Sequence, residues 1–234
     1  MRRKAKLTER TWRSYDIRKE LKPEWLASLG AINVAWNDIE GAINVVVCIG
    51  LELPPPLWIE VTSRINGLEG KFALIKKSAR VHFRLPSNIC DLIDKTIGAI
   101  AEHKTYRDAL IHAKIIDPDS EVAAANQSKG TEYEVLVSQT ALNGLYDRLS
   151  LLQHEIDDVL QIMDNRARMA LALHKGRKLS PRGPKLRPFV QSIRQYMSLL
   201  RVHQRTRLEL PPLPQFPQES QAPSAKEGDP LTPD

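Results

Sequence analysis

A ladder of seven residues, Leu142, Leu145, Leu149, Leu152, Ile156, Val159 and Met163, constrains this chain more than any other feature. Its steps alternate between three and four residues, the spacing that puts every member on one stripe of an α-helix. A stripe this long must be buried, within a bundle or against a second subunit. A second ladder of Leu29, Ile32, Trp36, Ile39, Ile43 and Val46 has the same steps. It follows Pro23, whose missing N–H suits a first helical turn, and ends at Gly50 and Pro54-Pro55-Pro56. A third helix carries Ile89, Leu92, Ile93, Thr96, Ile97 and Ile100, with Ser87 as its candidate N-cap, and continues through Arg107–His112. Between these, residues 57–83 read as a helical stretch weakened at Asn66-Gly67 and Gly70. The pattern predicts an all-α chain, an antiparallel helical bundle of about four to five helices.

After Ala113 the periodicity changes. Residues 114–117 and 131–137 read as two short strands and 118–130 as a loop, so a small β-hairpin insertion is expected after the third helix. Ser138 or Thr140 can cap the helix that bears the longest ladder. Charge then sets the outer boundaries. Residues 1–22 carry nine Lys/Arg against three acids, 23–164 carry twelve against twenty, and 165–207 carry twelve and no acid. The expected organisation is a basic N-terminal arm (1–22), a helical bundle (23–165), a basic linker with a short amphipathic helix (166–208) and a disordered Pro-rich tail (209–234). On that short helix Arg187, Arg194 and Arg201 recur every seven residues and share a face, opposite Phe189, Ile193, Tyr196 and Leu200. Basic arms of this kind meet anionic partners: nucleic acid, a membrane surface or an acidic protein face. Membrane attachment is the weakest of these.

Several classes of function lack support. The Gly-rich phosphate loops and the Gly-x-Ser-x-Gly elbow are absent. Cys48 and Cys90, the two cysteines, lie in apolar helical patterns and read as buried thiols, and neither a cofactor nor a metal is expected. His154 and Asp157 could offer two ligands on one helical face but no strong third. The basic N-terminus has no apolar h-region behind it, so a cytoplasmic location is expected.

One segment combines a permanent cation, a carboxylate and an imidazole at a helix end: Tyr106-Arg107-Asp108-Ala109-Leu110-Ile111-His112. Asp108 and His112 lie four apart, on one helical face, where the carboxylate can fix the imidazole tautomer. Such a set suits phosphoryl transfer or RNA scission, since a histidine moves protons near neutral pH and an arginine offsets charge building on phosphorus. It equally suits an ion pair at a helix end, where cations meet the negative pole of the helix dipole.

The segment resembles the hallmark of the HEPN superfamily: an Arg, a polar residue, then a His after four to six intervening residues. Here Arg107, Asp108 and His112 match with four between. The preceding Trp36-Asn37-Asp38-Ile39-Glu40 helix and the Leu68-Glu69-Gly70-Lys71 stretch are similar to bacterial members, and the likeness spans about residues 25–165. The resemblance implies a homodimer whose two motifs form one composite site, and metal-independent endoribonuclease activity leaving a 2′,3′-cyclic phosphate. By position His112 would be the acid/base, Arg107 the transition-state clamp and Asp108 the residue orienting them. Lys104, Tyr106, Arg187, Arg194 and Arg201 would contact RNA. Many such proteins are toxins or defence effectors with a cognate antitoxin or other protein partner. Others have lost catalysis and serve as dimerisation or binding modules.

Overall fold

The structure, a computed structural model, describes residues 22–111, 113–117, 122–126, 132–136, 138–174 and 187–212. His112, the N-terminal arm before Lys22 and the tail beyond Pro212 lie outside the described residues. The described chain is mostly helical. Helix α1 (Pro23–Gly50) is followed by a 3₁₀ turn (Pro55–Leu57), α2 (Trp58–Arg64), α3 (Gly67–Lys77), a π-helical turn (Ser78–His82) and α4 (Ser87–Ile111). Three strands come next, β1 (Ala113–Asp117), β2 (Val122–Asn126) and β3 (Glu132–Leu136), then α5 (Gln139–His174) and α6 (Arg187–Glu209).

The seven-residue ladder of α5 is buried within the single chain, with every member at 0–1% exposure. It is covered by α1 on one side and α6 on the other, the two most extensive helix contacts. It therefore leaves no apolar seam for a second subunit. The start of α5 is fixed by Ser138, whose Oγ accepts from the Ala141 amide at 3.1 Å. Helices α5 and α6 run antiparallel: Arg148 of α5 meets Arg207 and Leu210, while Asp158, further along α5, meets His203, further back on α6. The tightest pair, α1 and α5, nevertheless runs parallel. Gln139 Nε2 donates to Ser28 Oγ at 2.7 Å near their N-termini, and Met163 lies against Gly50 further along.

Helix α1 is long and apolar enough, by length and composition, to cross a membrane, but Ile32, Trp36, Ile39, Ile43 and Val46 are buried in this core. At its C-terminal end Ser78 Oγ donates to the Gly50 carbonyl at 3.0 Å. A Cβ on Gly50 would lie 2.8 Å from that hydroxyl, so a larger residue would have to displace Ser78 from this bond. The expected 57–83 helix breaks at Ile65-Asn66, and α3 begins at Gly67 with φ of +66°, while Gly70 is tolerated inside it. Ser87 is the first residue of α4 rather than its cap: the Pro86 carbonyl accepts from the Ile89 and Cys90 amides.

Two expectations are corrected. Between α4 and α5 the strands form a meander in the order β1-β2-β3, all antiparallel, in place of a two-stranded hairpin. The middle strand, Val-Ala-Ala-Ala-Asn, fell in the expected loop because alanine has little β-propensity and the segment shows no alternation. The expected boundary at residue 165 falls inside α5, and α6 belongs to the folded body. Leu200 is fully buried, and Ile193, Tyr196 and Met197 pack on the core. The apolar stripe of α6 thus packs towards α5. Phe189 is half-buried.

Polar groups lock α6 in place. Glu155, with 0% side-chain exposure, accepts from Arg207 Nε at 2.6 Å and from Thr96 Oγ1 at 3.0 Å. Arg148 donates to the carbonyls of Arg207, at 3.2 Å, and Leu210, at 2.8 Å, and also to that of Pro211, which closes the C-terminal end of α6. His103 is buried beside this network, its Nδ1 2.7 Å from the Ala99 carbonyl and its Nε2 without a hydrogen-bond partner.

Burial holds the His103 imidazole below its ordinary pKa of 6.5, against the opposing pull of the Ala99 hydrogen bond. The unfolded chain therefore takes up a proton that the folded chain refuses. His103 should withdraw stability as pH falls through 6.5 towards the folded value, with its full contribution present above 6.5. Urea melts at pH 7.5 and pH 5.5 check this: the loss between them should shrink in a His103→Gln variant, and an equal loss in both proteins would refute it.

Candidate functional site

Helix α4 carries Arg107 and Asp108 in its last turn, where α1 crosses it near Asn33 and Trp36. The Arg107 side chain is only 19% exposed. One terminal nitrogen donates to Asp108 Oδ1 at 2.9 Å, and the other donates to Asn33 Oδ1 at 2.8 Å. The guanidinium carbon stands 5.8 Å from the centroid of the buried Trp36 ring, within cation–π range. Trp36 is itself fixed, its Nε1 donating to Glu40 at 2.7 Å. Arg107 is thus gripped on three sides, while its Nε has no hydrogen-bond partner.

Asp108 receives Lys104 on its second oxygen at 2.6 Å. Burial pushes the Asp108 carboxyl up, but the hydrogen bonds from Lys104 and Arg107 and their charges outweigh it and hold it below the ordinary carboxylate value. Asp108 is therefore a fixed anion at neutral pH. Its carboxylate closes a Lys–Asp–Arg triad whose polar side stays partly open, with Lys104 37% and Asp108 31% exposed. The expected partner of Asp108 was His112, one turn onward; Asp108 is engaged by Lys104, one turn back, and by Arg107.

The other expected contact residues do not join this cluster. Tyr106 is buried at 5% exposure, and burial raises its phenol to about 12, so it is a core residue and not a surface for stacking bases. It points inward because it continues the buried face set by Ile100 and His103. Arg194 and Arg201 are exposed on the outer face of α6 and carry no ion pair among the described residues. Arg187 begins α6, but its side chain lies outside the described residues. Gln204, three residues after Arg201, sits beside Leu92 and Thr96, eleven or more residues before Arg107 on α4.

Asn33 is the functional contact that sequence reasoning missed. Its only signal is its place three residues before Trp36 on α1, which becomes meaningful once α1 is known to cross the end of α4.

What the cluster can do chemically is hold an anion. Arg107 is partly desolvated and pre-aimed, with donors left over after its two hydrogen bonds, and Lys104 supplies a second cation. Among the described residues no group of three or more His, Cys, Asp or Glu side chains is arranged to hold a metal ion. No protein-family model, curated protein or solved structure matches the chain.

Proposed function

We propose that this chain is a HEPN-like, metal-independent endoribonuclease that acts as a homodimer in the cytoplasm. The observation that carries this reading is the preorganised Arg107, held by Asp108, Asn33 and Trp36 at the end of the helix that leads into His112. An arginine gripped in this way reorganises little when charge grows on a phosphate, which is the requirement for a transition-state clamp. Asp108 aims Arg107, a role it can fill while anionic at neutral pH. His112 supplies the acid/base function from each subunit, and the two copies of the motif share one composite site. Arg194 and Arg201 attract the RNA backbone from the outer face of α6, offsetting the acidity of the bundle. A toxin or defence role, with a cognate antitoxin as partner, is the biological setting this chemistry fits.

RNA incubated with the protein in EDTA should be cut to products ending in 2′,3′-cyclic phosphate. Arg107→Ala and His112→Ala should each lower the rate by about 10²-fold or more. Equal cleavage by all three proteins, or none by the wild type, would remove the catalytic claim.

A second reading is a non-catalytic dimerisation and RNA- or protein-binding module. It is favoured by the closure of Asp108 onto both Lys104 and Arg107, the pattern of a structural ion-pair network. In that case RNA binding survives His112→Ala and falls with Arg194→Ala and Arg201→Ala.

A further inference from the structure

A cleft of about 670 Å³ lies where the C-terminal end of α1 meets α3 and the π-helical turn. Its lining is mixed. Leu51, Leu74 and Val81 supply apolar surface, Lys77 and Arg84 supply two permanent cations, and Glu52 is the one acid. Glu52 is engaged by His82, whose Nε2 stands 3.1 Å from Oε1. Lys77 and Arg84 are exposed and carry no ion pair among the described residues. Gly50, at the edge of the cleft, stands 17 residues beyond Asn33 on α1, roughly 25 Å along the helix axis, so the cleft is separate from the Arg107 cluster.

The backbone marks the same place. Glu52 has φ of 52° and Arg84 φ of 48°, and these are the two non-glycine residues with positive φ among the described residues. Both line this one cleft. Each closes a helical segment: the Leu53 amide returns to the Cys48 carbonyl at 3.0 Å, and the Leu85 amide to the Ala79 carbonyl at 2.9 Å. Glycine is the usual residue at such a cap, because a side chain there crowds the backbone. Here the two positions hold a carboxylate and a guanidinium instead. Left-handed outliers of this kind cluster at ligand sites, and π-helical turns such as Ser78–His82 are rare and frequent at functional sites.

We propose that this cleft binds a small phosphomonoester with an apolar body. Two cations without an ion pair match a dianionic phosphate better than a single carboxylate, and Arg84 offers the forked donors that phosphate oxygens accept. Exposed Leu51 and Val81, with half-buried Leu74, take the apolar body. The volume suits such a ligand, since small-molecule sites run from roughly 300 to 1,000 Å³. The site is independent of Arg107 and of ribonuclease activity.

The test is calorimetric titration of the full chain in EDTA at pH 7.5 with 1-naphthyl phosphate, beside inorganic phosphate and 1-naphthol. The expected result is saturable binding of naphthyl phosphate, about 10-fold or more tighter than either half alone. Arg84→Gly and Lys77→Gln should each weaken it by about 10-fold. Arg84→Gly should at the same time melt at or above the wild-type temperature, because glycine adopts φ of 48° without strain, so its loss of binding is not a loss of fold. Glu52→Gly relieves the other outlier and removes the acid, and should keep the binding or tighten it. Three results would each overturn the assignment: no binding of naphthyl phosphate by the wild type, equal binding by Arg84→Gly, or weaker binding by Glu52→Gly.

Discussion

Alanine at Glu155 or at Arg207 should each lower the unfolding free energy by about 3–5 kcal/mol, the cost of leaving one member of a buried ion pair without its counter-charge. Glu155 has no exposed side-chain surface, and Arg207 is 8% exposed, so water cannot replace the missing partner. Arg207→Ala strands a carboxylate with only the Thr96 hydroxyl. Glu155→Ala strands a guanidinium close to Arg148, another cation in the same seam. The double variant Glu155→Leu, Arg207→Met should recover most of the loss, because an apolar pair removes both desolvation costs together. Chemical denaturation of the four proteins measures this. Single variants within about 1 kcal/mol of the wild type would show that the pair is hydrated and that α6 is not locked to the core.

Leu149→Ala should cost about 3–5 kcal/mol and leave the oligomeric state unchanged. Leu149 is the third of the seven α5 ladder residues and is 0% exposed, in a helix covered by α1 and α6. Truncation there opens a cavity inside one chain. If the ladder were instead the surface of a dimer, the same change would make stability depend on protein concentration and shift the chain towards monomer. Equilibrium sedimentation beside urea melts separates the two outcomes. A dimer built by this chain must use surfaces other than the ladder, which bears directly on how two Arg107–His112 segments could meet.

The helices were legible because their ladders have a period that only a buried helical stripe requires. Those of α1, α4 and α5 are buried as spaced, apart from the partly buried Leu29, and the Ser138 cap follows from side-chain chemistry that is local. What the sequence did not show is pairing between distant segments. Gln204, Arg207, Glu155 and Thr96 look like ordinary polar residues of amphipathic helices until α6 is laid against α4 and α5. The charge boundary near residue 165 suggested an extension because twelve cations without an acid read as a solvated arm, yet Arg207, one of the twelve, turns inward onto Glu155. At the candidate site the triad was half visible. Arg107 and Asp108 were found from type and spacing. Lys104 appears as the carboxylate's partner only from the geometry, and Asn33 lies 74 residues from Arg107.

The parallel pairing of α1 and α5 decides the order in which the chain can fold. Ser28 meets Gln139 across 111 residues, so the face of α1 that α5 covers has no partner until most of the chain exists. The α5–α6 pair is close in sequence and can form early, whereas docking α1 must close a long loop, the kind of contact that slows folding. During synthesis the α5-facing side of α1 therefore waits uncovered, and this is where a chaperone would be needed.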